Sequence, residues 1–111
     1  MSEHVVSLPI AADHPAYAGH FPGRPILPGV VLLDAALHAL AAQSGMRAMP
    51  ENSQLKSAKF HSPVLPGQPL TLHYAASPGG GLRFDIRCID RDGSERSVAS
   101  GSVVFSPESQ A

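Results

Sequence analysis

Eleven prolines and ten glycines are spread through 111 residues, and this punctuation limits long regular elements more than any other feature of the chain. Proline has no amide hydrogen and clashes with the turn before it, so it interrupts helix interiors and central strands alike. The one proline-free stretch suited to a substantial helix begins after Pro28. From Gly29 it reads Val-Val-Leu-Leu-Asp-Ala-Ala-Leu-His-Ala-Leu-Ala-Ala-Gln, rich in strong helix formers, and Ser44-Gly45 supplies a stop. Its apolar residues surround the whole circumference, which predicts a helix enclosed on nearly every side.

The enclosing material is expected downstream. Leu82, Phe84, Ile86 and Cys88 alternate with Arg83, Asp85 and Arg87 in the period-two pattern of a half-buried strand. Pro78-Gly79-Gly80-Gly81 precedes it and Asp92-Gly93 follows it, and both are turn signals that join antiparallel neighbours. Flanking strands are expected at residues 69–76 and 97–105, another at 55–61 and a short one at 5–8. Five strands against one helix predict an α+β domain over residues 1–111, with a curved antiparallel sheet wrapped around a central buried helix. A single sheet cannot cover a helix that is apolar all round, so a second protomer is expected to close its other side. Residues 107–111 read as a frayed tail.

Composition narrows the partners. Hydrophobic residues make up 43% of the chain and charged residues 15%, a balance suited to a buried core. Eight Lys plus Arg against nine Asp plus Glu give a formal net charge of −1, which offers no global attraction for nucleic acid or an anionic membrane. The longest apolar run, residues 30–33, is broken by Asp34 and falls far short of the ~20 residues that span a bilayer. A lone cysteine, Cys88, cannot form an intrachain disulfide, and the start Met-Ser-Glu-His lacks the features of a secretion signal; a reducing cytoplasm is the expected location.

Candidate chemistry concentrates before and within the helix. In the stretch from Asp13 to Val30, Pro22, Pro25 and Pro28 stiffen the backbone while Gly19, Gly23 and Gly29 permit unusual angles or close approach. Such a loop fixes His20 in space, although a proline-stiffened helix entry with a locally satisfied histidine accounts for the same residues. Asp34 lies one turn into an apolar helix, where a carboxyl is unfavourable unless protonated or partnered. An i,i+4 pair with His38 is one explanation, worth ~0.2–0.5 kcal/mol on an exposed face. A proton donor or acceptor beside a substrate is the other, and the two can coexist. His20, Asp34 and His38 together offer two imidazoles and a carboxylate, but without the tight spacing of a metal site. Neither metal nor organic cofactor is expected.

The run Gly19-His20-Phe21-Pro22-Gly23-Arg24-Pro25-Ile26-Leu27-Pro28-Gly29-Val30, followed by Asp34-Ala35, resembles the FabA/FabZ-type 3-hydroxyacyl-(acyl-carrier-protein) dehydratases in a compact form. The 14 positions from His20 to Asp34 (34 − 20) are similar to that family's spacing between catalytic histidine and carboxylate. Lys59-Phe60-His61-Ser62-Pro63-Val64-Leu65-Pro66-Gly67 is a weaker echo, similar to the family's strand entering a proline-glycine turn. The resemblance implies the hot-dog fold and a homodimer whose active site lies at the protomer interface. It implies His20 as the base that removes the α proton and Asp34 as the group that protonates the departing 3-hydroxyl. Gly29 supplies the helix-terminal amide for the thioester carbonyl.

By the same resemblance Phe21, Val30, Leu33 and Leu37 wall an acyl tunnel, although each is equally suited to ordinary core. Arg24 and Lys59, with Arg47 and Lys56, are candidates for a basic patch that meets an acidic carrier protein or a coenzyme A phosphate, although most surface charges merely keep a face solvated. His38 departs from the pattern, standing where many relatives carry glutamine beside the carboxylate. The short length is similar to compact forms associated with specialised acyl or polyene assembly. The expected reaction is dehydration of a 3-hydroxyacyl thioester to its trans-2-enoyl product. Two other readings are a hydratase or thioesterase acting on acyl-CoA, and a catalytically silent acyl-binding or scaffold subunit in which Asp34 and His38 satisfy each other.

Overall fold

The computed structural model describes residues 3–8, 27, 29–45, 53–65, 67–77 and 81–105. They form β1 (His4–Ser7), α1 (Gly29–Gln43), β2 (Gln54–Phe60), β3 (Leu70–Ser77), β4 (Gly81–Ile89) and β5 (Glu95–Val104). The strands make one antiparallel sheet in the order β1-β3-β4-β5-β2. The chain therefore runs along one edge, passes through the helix to the far edge, and fills the centre last with two hairpins. This is the expected α+β hot-dog architecture. The helix ends where its signals place it, with Gly45 at φ +84°, a left-handed angle that only glycine adopts freely.

Period-two alternation puts Leu70 and Leu72 of β3 and Phe84, Ile86 and Cys88 of β4 on the face toward α1, opposite Thr71, Arg83, Asp85 and Arg87. The register aligns Leu72 with Ile86 and Ile86 with Ala99, so a continuous apolar band crosses the sheet's centre. A bulge between β4 and β5 leaves Val98 without a register partner, which allows Val98 and Ala99 to be buried in succession. On α1, Leu32, Ala36 and Leu40 recur at intervals of four and are buried in the same cluster. Leu40, Leu72 and Ile86 are fully buried, and each such side chain is worth ~1.5–3 kcal/mol over exposure.

Both helix ends are tied to the sheet side of the molecule. Near the start, the Leu27 amide donates to the Val64 carbonyl at 3.0 Å. At the end, the Tyr74 hydroxyl donates to Gln43 Oε1 at 3.3 Å, with its ring stacked on His4 at 5.1 Å. Cys88 is buried, and burial pushes its thiol up from the ordinary value, which keeps it in the unreactive protonated form.

Among the described residues, the five-stranded sheet shelters one side of α1 and leaves the other open, as expected of a single sheet against a helix that is apolar all round. Val30 is 72% exposed, and Asp34 and His38 also lie on the open side. No helix among the described residues is long and apolar enough to cross a membrane.

Gly101 tests the close packing at the sheet centre. A Cβ there would collide with the Ser57 carbonyl and come within 2.8 Å of the Phe84 ring. Gly101→Ala is expected to cost ~1–3 kcal/mol, read as a lower urea midpoint with an unchanged slope.

Candidate functional site

The first residue of α1 has no side chain, and a specific neighbour requires that. A Cβ on Gly29 would lie 2.9 to 3.1 Å from ring carbons of Phe60, the last residue of β2. Phe60 thus seats its ring directly on the helix entry while remaining 54% exposed. Two residues before Gly29, the Leu27 amide is held by the Val64 carbonyl. The amides of the first turn have no helical carbonyl to donate to, and they carry the positive end of the helix dipole. No acidic side chain occupies that turn. A close-approach glycine at a positive helix end is suited to receive a developing negative oxygen.

Asp34 lies five residues further on (34 − 29), about 1.4 turns. Its carboxyl is 67% exposed, which corrects the expectation of a carboxyl sunk in apolar surroundings. Among the described residues no strand covers this face of the helix. The His38 ring Nδ1–H donates to the Asp34 main-chain carbonyl at 2.8 Å and sits 3.4 Å from Oδ1. This is the i,i+4 arrangement weighed for the pair, located on the surface and not inside the core. Leu33 and Leu37 are half-buried against the core, and Val30 stands clear of it. These apolar residues flank Asp34 on the helix side that leads back to Gly29. His20, Phe21, Arg24 and Arg47 lie outside the described residues.

Among the described residues β2 is the terminal strand of the sheet, paired on one side with β5. All seven of its residues are exposed, including Leu55 at 42%. Among the described residues the other edge of β2 is unpaired, and such an edge is a ready template for another chain.

Lys59 belongs to a different surface. It is the residue before Phe60 and pairs with Ser100, so alternation turns it to the sheet face away from α1. There it joins Glu3, His73, Arg83, Asp85 and Ser100 around a concavity of 560 Å³. His73 is buried in this face, with Nε2 3.1 Å from the Thr71 hydroxyl and Nδ1 3.8 Å from Glu3. Asp85 is engaged by Arg87 at 2.6 Å and by the Ser97 hydroxyl at 2.6 Å. Lys56 is exposed on β2, beside the irregularity between Leu55 and Ser57.

Sequence reasoning did not single out Phe60 or Val64 as determinants of the site. The signal for Phe60 was its place in the Lys59–Gly67 echo, but no local pattern links it to a glycine 31 positions earlier (60 − 29). If the ring dictates glycine at the helix entry, the two positions are coupled. Gly29→Ala should destabilise the protein in the native background and far less beside Phe60→Ala. A thermal-melt double-mutant cycle is expected to give a coupling of ~0.5–3 kcal/mol, whereas additive effects would contradict the contact's role.

Comparison with known proteins gives a consistent result. A family model described as ApeI-like, ApeI dehydratase, matches residues 1–102. The 3-hydroxyacyl-(acyl-carrier-protein) dehydratase FabZ of Bartonella henselae is 36% identical over 70 residues, covering 58% of this chain. The chain spans about half the length of curated relatives of this kind, 45% in that case. An uncharacterized protein from Erwinia carotovora subsp. atroseptica is 28% identical, with a TM-score of 0.68 over 95% of this chain and 82% of its own. The dehydratase heterocomplex ApeI:P from Xenorhabdus doucetiae shares the fold at a TM-score of 0.67 and 24% identity, over 92% of this chain and 85% of that one. The resemblance to FabA/FabZ-type dehydratases is borne out.

Proposed function

The chain belongs to the ApeI-like dehydratase family, and from that premise we propose that it removes water from a 3-hydroxyacyl thioester to give the trans-2-enoyl thioester. The observation that carries the reading is the spacing along α1 of Gly29, a close-approach glycine at the positive helix end, and Asp34, an exposed acidic side chain five residues further on. The carbonyl oxygen of the thioester binds at the Gly29 amide, where negative charge builds as the α C–H bond breaks. His20 takes that proton. The freed electron pair forms the C2–C3 double bond, the C3–O bond breaks, and the hydroxyl leaves as water with a proton from Asp34. One positioned base and one positioned acid each contribute roughly 10²- to 10⁴-fold, so the chemistry needs no further group.

A second copy of the chain completes the site. It covers the open helix face and pairs along the β2 edge, and it brings the His20 of one protomer toward the Asp34 of the other. Covering that face also removes water from around Asp34 and turns Val30, Leu33 and Leu37 into walls for the acyl chain. Light scattering of the purified protein should give twice the 11.6 kDa chain mass. The substrate's carrier is an acyl carrier protein, as the names of the FabZ relatives suggest. Lys59 and Lys56 meet it as part of a surface patch beyond the tunnel, since exposed charges attract over ~8–10 Å.

The surface pairing of Asp34 with His38 favours one other reading, a silent acyl-binding subunit that works beside a different chain. Turnover separates the two. With a 3-hydroxyacyl thioester as substrate, product absorbance should rise in the native protein. His20→Ala and Asp34→Asn should each lower kcat/KM by ~10²- to 10⁴-fold with melting temperatures unchanged. Rates unchanged from the native protein in both variants, or binding without turnover in the native protein, would overturn the assignment.

A further inference from the structure

We propose that Arg96 is a positioning residue for this reaction, acting through the turn between β2 and β3 on the helix entry at Gly29. The inference rests on the dehydratase reading for its kinetic consequence, but its geometry stands apart from it. Arg96 lies on β5 opposite Cys88, at the end of the sheet nearest that turn. Its guanidinium binds both ends of the turn at once. Nη1 donates to the Ser62 hydroxyl at 2.7 Å and to the Pro63 carbonyl at 3.1 Å, and Nη2 donates to Gln68 Oε1 at 3.3 Å. The guanidinium is itself anchored, because Nε donates to the two Asp90 carboxylate oxygens at 3.1 and 3.2 Å.

The turn is further closed on itself. The Leu65 amide donates to the same Gln68 oxygen at 2.8 Å, and the Ser62 hydroxyl donates to the Ser97 carbonyl at 3.1 Å. Held between these clamps is Val64, 2% exposed, whose carbonyl receives the Leu27 amide at 3.0 Å. Leu27 is 4% exposed and two residues from Gly29. On the other side of the turn, Phe60 rests on Gly29 itself, and His61 is tied to Val98 by its amide at 2.9 Å. Both contacts that seat the helix entry therefore come from chain that Arg96 fixes or that directly adjoins it.

Only arginine suits this position. A planar fork with five donors reaches Asp90, Ser62, Pro63 and Gln68 simultaneously, whereas a lysine ammonium is a single point with three donors. If the fork is lost, the Val64 carbonyl is free to drift and the Gly29 amide drifts with it. Displacement of an oxyanion donor is felt in kcat more than in KM, because the negative charge it meets exists only in the transition state.

The test compares the native protein with Arg96→Lys and Arg96→Ala, and with Asp92→Ala as a control that disturbs the same hairpin through Ser94 only. Hydrogen exchange is followed at the amides of Leu27, Leu72 and Ile86 without substrate, and kcat and KM are measured with a 3-hydroxyacyl thioester. Arg96→Ala is expected to speed exchange at Leu27 while Leu72 and Ile86 keep their protection. It should lower kcat about 10- to 100-fold with KM changed less than about threefold. Arg96→Lys should fall between, and Asp92→Ala should leave Leu27 exchange and kcat as in the native protein. Unchanged exchange at Leu27 in Arg96→Ala, or protection lost equally across the sheet in both Arg96 variants, would overturn the proposal. If the native protein turns over no substrate, the dehydratase reading fails, while exchange at Leu27 still decides whether Arg96 positions the helix entry.

Discussion

A helix that is apolar around its circumference cannot be satisfied by one curved sheet, and the arrangement of this molecule follows from that mismatch. Leu32, Ala36 and Leu40 find their partners on β3, β4 and β5, and the core is complete on that side. The opposite side of α1 is left with Val30, Asp34 and His38 in the open. Asp34 and His38 therefore occupy the part of the helix that the described residues do not cover. The edge strand β2 is likewise exposed along its whole length. The same geometric deficit leaves a surface to be completed and places reactive groups on it.

The helix entry obeys a second constraint, one of volume. An amide that is to meet a substrate oxygen must be approachable, so the backbone around it needs little side-chain bulk. Glycine at position 29 meets this requirement, and the Phe60 ring packs where its side chain would stand. A small residue alone would leave the entry loose, and a larger one would displace the ring. The carbonyl of Val64 then holds the preceding strand of chain in register. Precision here comes from contacts made by residues far away in sequence, which is the usual requirement for a site whose groups must sit within about half an ångström.

The two faces of the sheet divide the labour. Toward the helix lie Leu72, Phe84 and Ile86, and away from it lies a network in which Asp85 is satisfied by Arg87 and Ser97. The hydrogen bond that Arg87 donates to Asp85 holds the guanidinium above its already high ordinary value. Such pairs on a half-exposed face contribute little to stability, so the outer face mainly keeps the sheet one-sided. Lys59 shows the effect of alternation most simply. It is the immediate neighbour of Phe60 in sequence, yet one turns outward and the other toward the helix entry.

Much of this was legible in the chain alone. The span of α1 followed from proline exclusion and the Ser44-Gly45 stop, and the strands from period-two alternation and turn residues, because these signals are local and act within a few positions. The Gly29 and Asp34 pair was legible for the same reason, as a fixed spacing on one helix. Sheet order, the edge position of β2 and the exposure of Asp34 were not, since they depend on which distant segments meet and how much surface one sheet can cover. Sequence by itself determined the elements and the residue types offered to the site. Only the tertiary structure decided which side of the helix stays open and that Phe60, Val64 and Arg96 hold its entry, because burial and long-range hydrogen bonds exist only once the chain has folded.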